Sequence, residues 1–100
     1  MTILLLDNNG GGIFHFLPVR DHEDKTLFET IHGTPHHLNL AGAGSLFGVD
    51  WIPVGRASEI AVHLQSTPKR ARVLHVQSSR ERNYAAYSAL IERLKRASVR

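Results

Sequence analysis

The sequence predicts an α/β fold, a partial parallel sheet of about three strands with flanking helices, in one unit spanning residues 1–100. Three observations carry that expectation. Ile3-Leu4-Leu5-Leu6 is an unbroken apolar run, as expected of a strand covered on both faces. Asp50-Trp51-Ile52-Pro53-Val54 and Ala71-Arg72-Val73-Leu74-His75-Val76-Gln77 read as two further strands. Segments with apolar residues at helical spacing separate and follow them, and such alternation implies right-handed crossovers between parallel strands.

Taken in order, the first strand runs into Asp7-Asn8-Asn9-Gly10-Gly11-Gly12. Ile13 to Leu17 is apolar, and Pro18 limits any helix there to a short turn. Arg20 to Lys25 has the charged composition of a solvent loop. Leu27 to Ile31 suits one or two helical turns, ended by Gly33-Thr34-Pro35. Asn39 is an N-cap candidate for a helix through Leu40, Ala43 and Phe47, with Gly48 as its stop. Gly42 and Gly44 weaken that helix by ~1 kcal/mol each, so a close packing partner is expected. Pro53 places the second strand at an edge or a strand end. Ala57, Ile60, Ala61 and Leu64 mark the next helix, which stops near Thr67-Pro68. In the last helix Tyr87, Leu90, Ile91 and Leu94 form one stripe, with Ser78 and Glu81 as a capping box.

Composition narrows the function classes. A chain of 100 residues, 42% of them apolar, supports one modest core. The absence of cysteine removes disulfides and thiolate metal sites and suits a reducing compartment. No run approaches the ~18 apolar residues of a membrane span, and Met1 to Leu6 lacks the marks of a signal peptide, so a cytoplasmic protein is expected. The net charge of +3 is concentrated late: Lys69, Arg70 and Arg72, then Arg80, Arg82, Arg93, Lys95, Arg96 and Arg100. Glu81 and Glu92 interrupt that run and no stacking aromatics are interleaved with it, which favours a solvated helix face over nucleic-acid binding.

The loop Asp7 to Phe14 admits two readings. Asn-Gly between apolar runs signals a β-hairpin, here Ile3–Leu6 against Ile13–Leu17. Alternatively, side-chain amides supply neutral oxygen donors, and successive glycines let the backbone approach a bulky anion. A hard cation such as Mg²⁺, which shares oxygen ligands with phosphates, would suit that second arrangement. Its place after a strand agrees with the rule that α/β sheets bind ligands outside the carboxyl ends of strands.

Asp7 to Phe14, then Phe16-Leu17-Pro18, Phe28 and Gly33-Thr34-Pro35-His36, resemble the C-terminal part of a menaquinone-pathway family, the 2-succinyl-5-enolpyruvyl-6-hydroxy-3-cyclohexene-1-carboxylate synthases. From about Asp50 onward the likeness rests on the order of elements alone. The resemblance implies the C-terminal half of a thiamine-diphosphate-binding domain, with thiamine diphosphate and Mg²⁺ as cofactors. It implies Asn8 and Gly10 as metal ligands, with Asn9 and Gly11 as the alternative register, and Asn8, Asn9, Gly10, Gly11 and Ile13 at the cofactor. Phe14, Leu17 and Arg20 would border the substrates, 2-oxoglutarate and isochorismate, with Lys25 a further cation for their carboxylates. Where the family usually has Asn this chain has Asp7, which is expected to point away from a diphosphate or to meet a cation.

That family's activating glutamate and its Gly-Asp motif have no counterpart here, so no catalytic residue is assigned and the isolated chain is expected to be inactive. A homodimer or homotetramer is implied for the full-length protein. Two other functions compete. One is a non-catalytic α/β module that uses the basic terminal helix to hold a partner or nucleic acid. The other is a metallohydrolase built on His32, His36 and His37 with Asp21, Glu23 or Asp24. Gly33-Thr34-Pro35 breaks the helix such a pair would need, and no His-Glu-X-X-His string exists.

Overall fold

The computed structural model describes residues 1–98, so Arg100 of the basic cluster lies outside the described residues. They form two compact units: Met1–Asp7 with His37–Gln77, and Asn8–His36 with the chain from Ser78 onward. The first holds a three-stranded parallel sheet in the order β1-β3-β2, made of β1 (Thr2–Asp7), β2 (Asp50–Pro53) and β3 (Arg72–Gln77). The register pairs Leu4 with Leu74 on one side of β3 and Ile52 with Leu74 on the other. The α/β class, the parallel pairing and the strand count agree with the sequence reading. β2 is an edge strand, as Pro53 requires.

β3 takes the central place because it carries Val73 and Leu74, both buried, between two neighbours. Arg72 is buried beside them and is satisfied by neutral oxygens: Nε donates to Thr2 Oγ1 at 2.9 Å and Nη2 to the Ser66 carbonyl at 2.9 Å. β1 departs from expectation. It is the other edge strand, and Leu6 is 71% exposed, with Ile3 and Leu4 also exposed. An apolar run reports that a strand can be covered on both faces; it does not show that this chain supplies the cover.

Helices α3 (Gly42–Phe47) and α4 (Ala57–Leu64) belong to the same unit. α3 starts three residues after Asn39, and no side chain caps it. Instead backbone turns lead in, Gly42 N–H donating to the Asn39 carbonyl at 3.2 Å. Gly48 ends it in the left-handed region, as its sequence position requires. Gly44 meets the expected close partner, since a Cβ there would lie 3.0 Å from Trp51 Cβ. Gly42 has open space around it.

In the second unit, Ile13–Phe16 forms a 3₁₀ turn rather than a strand, so the Asn-Gly loop is no hairpin tip. Pro18 opens a new turn, α1 (Val19–His22), where a solvent loop was expected. Its fixed φ suits a helix start. Asp24 caps α2 (Lys25–Phe28), its carboxylate accepting from Leu27 N–H at 3.1 Å. The chain continues through a π turn, Glu29–Gly33, and stops at Thr34 in the left-handed region. α5 (Arg80–Ser98) is capped by Ser79 rather than Ser78: Arg82 N–H donates to the Ser79 hydroxyl at 3.3 Å. Phe16 packs against Tyr84 and Tyr87 of α5, with ring centroids 5.7 and 4.9 Å away, while Leu90 and Leu94 of the expected stripe stay exposed.

Candidate diphosphate and metal loop

The loop Asn8–Gly12 owes its shape to two residues with positive φ. Asn9 sits at φ 58°, which Asn tolerates because its short side chain bonds locally. Gly10 sits at φ 137°, a region closed to side chains, and a Cβ on it would collide with the Gly33 carbonyl oxygen. That carbonyl accepts Gly11 N–H at 2.8 Å. The two sequence motifs, Asn-Asn-Gly and Gly-Thr-Pro, therefore meet through their backbones.

Arg80 fastens the joint. Its Nη1 donates to the Gly11 carbonyl at 3.1 Å and its Nη2 to Glu29 Oε2 at 2.6 Å. Gly33 leaves room for this guanidinium, because a Cβ there would run into Arg80 Nη1. Charge-assisted bonds of this kind, here one part-buried and one exposed, fix geometry as well as contributing energy. Counting Arg80 with the basic terminal face hid its role; its position three residues after β3 was the available signal.

A cavity of about 320 Å³ opens beside the loop, bordered by Asn8, Asn9, Lys25, Glu29, Arg80 and Glu81. Two cations, two carboxylates and two amides share it. An anion entering there needs a cation to offset Glu29 and Glu81, and the amide oxygens are the neutral donors a hard cation takes. Glu81 is itself tuned: burial pushes its carboxyl up, but the hydrogen bond and charge of Arg20 outweigh this and hold it below the ordinary value. Burial likewise disfavours the charged Arg20 guanidinium, and Glu81 overcomes that and raises it.

No family model matches the chain. It is 36% identical to a 2-succinyl-5-enolpyruvyl-6-hydroxy-3-cyclohexene-1-carboxylate synthase of Prosthecochloris aestuarii, over 96% of this chain and 17% of that protein. Synthases of the same name from Synechococcus elongatus (36% identical) and Chlorobium chlorochromatii (38%) each align with 94% of the chain and 16% of their own length. This chain matches one segment of that synthase family. It spans about a sixth of the length of these curated relatives.

Against the residues that the synthase likeness implies, the structure sorts the set. Asn8 and Asn9 border the cavity with Lys25, and Gly10 and Gly11 form the backbone beneath them. Ile13, 77% exposed, does not border it, nor do Phe14, which stacks on His32 with centroids 4.7 Å apart, and Leu17, which is exposed. Arg20 is committed elsewhere: it pairs with Glu81 at 2.9 Å and Asp21 at 3.2 Å and lies 3.9 Å over the Tyr84 ring. Of the rival histidine set, His32 pairs with Glu23 at 2.9 Å, but among the described residues the cluster with metal-ligand spacing is another one, His15, Glu29 and Glu81.

The sheet unit has a wider cavity, about 560 Å³, where Trp51, Pro53, His75 and Gln77 lie on one face of β2 and β3. Trp51 Nε1 donates to His75 Nδ1 at 3.1 Å, and His75 Nε2 lies 2.9 Å from Asp7 Oδ2. Asp7 thus turns to the neighbouring strand. No helix among the described residues is long and apolar enough to cross a membrane.

Proposed function

We propose that this chain supplies the diphosphate- and Mg²⁺-binding segment of a thiamine-diphosphate-dependent synthase that decarboxylates 2-oxoglutarate and adds the resulting carbanion to isochorismate. The observation that carries the reading is the Gly10–Gly33 contact, which brings both family motifs into one preformed loop beside an amide-lined cavity. The residues fit the cofactor's polar end. Asn8 Oδ1 and the Gly10 carbonyl are the proposed ligands of Mg²⁺, Asn9 and Gly11 shape the turn, and Lys25 and Arg80 offset phosphate charge. Ile13, Phe14 and Leu17, exposed in this segment, are the proposed apolar border toward the thiazolium and the substrates.

When bound, thiamine diphosphate supplies the nucleophile and the electron sink for loss of carbon dioxide. The chain's own contribution is positional. Arg80 holds the Gly11 carbonyl, so the loop keeps its form before any ligand arrives, which lowers the ordering cost of binding. Arg20 and Lys25 are the proposed cations for the substrate carboxylates, with Arg20 available only if it exchanges Glu81 for a substrate. The synthase reading makes the full-length protein a homodimer or homotetramer in the cytoplasm, active only with the residues outside this segment.

Calorimetric titration of thiamine diphosphate with Mg²⁺ into the full-length protein tests this. Asn8→Ala should weaken Mg²⁺-dependent binding by at least about tenfold, the loss of one charge-assisted ligand. Unchanged binding in that variant would overturn the assignment. Two cations of α5 are engaged within the chain: Arg80 is turned to the loop, and Lys95 pairs with Glu92 at 3.4 Å.

A further inference from the structure

His15 is 1% exposed, yet neither of its ring nitrogens makes a hydrogen bond. A buried imidazole without a partner is costly, so its surroundings require an explanation. The ring packs edge-on against Phe28, with centroids 4.9 Å apart, and this fixes its direction. Nε2 is aimed between two carboxylates, 3.4 Å from Glu29 Oε1 and 3.6 Å from Glu81 Oε1. The other oxygen of each carboxylate is already held: Arg80 takes Glu29 Oε2 at 2.6 Å and Arg20 takes Glu81 Oε2 at 2.9 Å.

We propose that His15, Glu29 and Glu81 form a second cation site, for a zinc-class divalent ion, distinct from the Mg²⁺ position at Asn8 and Gly10. The spacing fits. Bonds of about 2.0–2.2 Å at tetrahedral angles separate neighbouring donor atoms by roughly 3.3–3.6 Å. Both imidazole-to-carboxylate distances fall in that range, and the three donor atoms lie within 4.8 Å of one another. The remaining gap closes by rotation of Glu81, whose side chain is 46% exposed. One imidazole with two carboxylates selects Zn²⁺ over Mg²⁺, which prefers oxygen alone.

The arginines complete the design as outer partners that orient each carboxylate and leave one oxygen for the metal. Glu29 and Glu81 also border the 320 Å³ cavity, which gives the ion an entry path. Two carboxylates and two guanidinium groups make the cluster formally neutral. A bound dication therefore leaves positive charge beside the cavity, suited to an anionic ligand there.

Cobalt(II) titration of the chelator-treated full-length protein reads this site directly, because four-coordinate cobalt absorbs strongly in the visible. The expected result is one equivalent of such cobalt, displaced by Zn²⁺ and not by excess Mg²⁺. The signal should survive Asn8→Ala, which separates it from the loop reading. It should vanish in His15→Gln, and Glu81→Gln, at an exposed position, should weaken it by at least about tenfold even if the histidine variant fails to fold. Absence of the visible bands, or bands unchanged in Glu81→Gln, would overturn the proposal.

Discussion

Gly10→Ala is the sharpest test of the loop's architecture. A side chain at φ 137° costs about 1–3 kcal/mol in backbone strain alone. The new Cβ also collides with the Gly33 carbonyl oxygen, and relieving that collision displaces the acceptor of the 2.8 Å bond from Gly11 N–H, worth about 1 kcal/mol. Together these give about 3 kcal/mol of destabilisation, or a fall in Tm of about 12–24 °C for a chain this size. Circular dichroism at the helix band is the assay, since α5 belongs to the same compact unit as the loop. Gly42→Ala is the control: the same methyl is added where no atom beyond the chain neighbours and the helix's own backbone lies within 4 Å, and it should stabilise by about 0.4–1 kcal/mol. Equal melting temperatures for the two variants would refute the claim that Gly10 is locked against Gly33.

Two further outcomes follow from the paired carboxylates. Asp7→Asn should cost no more than about 1.5 kcal/mol in urea unfolding, because an amide oxygen still accepts from His75 Nε2; a loss of about 3–5 kcal/mol would mean an imidazolium had been left unpaired. The Glu81 carboxyl is held below its usual 4.5 in the folded state, so its stabilising share is complete above that pH and disappears as pH falls through the lowered value. Glu81→Gln should therefore flatten the acid limb of a stability-against-pH curve, and an acid limb identical to that of the parent would exclude the Arg20 pairing as its cause.

The elements that could be read from sequence are those whose signals are local. β3, with Val73, Leu74 and Val76, the Gly48 helix stop and Pro53 at a sheet edge all depend on near neighbours in the chain. Tertiary placement decided the rest. Leu4 and Leu6 carry the pattern of a covered strand, but cover comes from residues outside β1, and pattern cannot report it. Ser78 and Ser79 offer the same cap chemistry, and the register of α5 chose the second. Arg80 looked like one of many surface cations, because nothing near it in sequence announces Glu29 or the Gly11 carbonyl. His15 was hidden for the same reason: its carboxylate partners are 14 and 66 residues away in the chain. The likeness to the synthase family could be read at Asn8 and Asn9 because their motif is contiguous.

Asp7 shows how a departure from family pattern is absorbed. Leu5 pairs with His75 and Trp51 with Val73, so the strand register sets Asp7, His75 and Trp51 diagonally along one face of the sheet. An indole N–H can only donate, which obliges His75 Nδ1 to accept and leaves its proton on Nε2, facing Asp7. The carboxylate is thus met by an N–H donor inside the sheet unit. A carboxylate aimed at a diphosphate would repel it. One held by the central strand instead lets the residue that precedes Asn8 be acidic, while the amides that follow remain the neutral oxygen donors proposed for the metal.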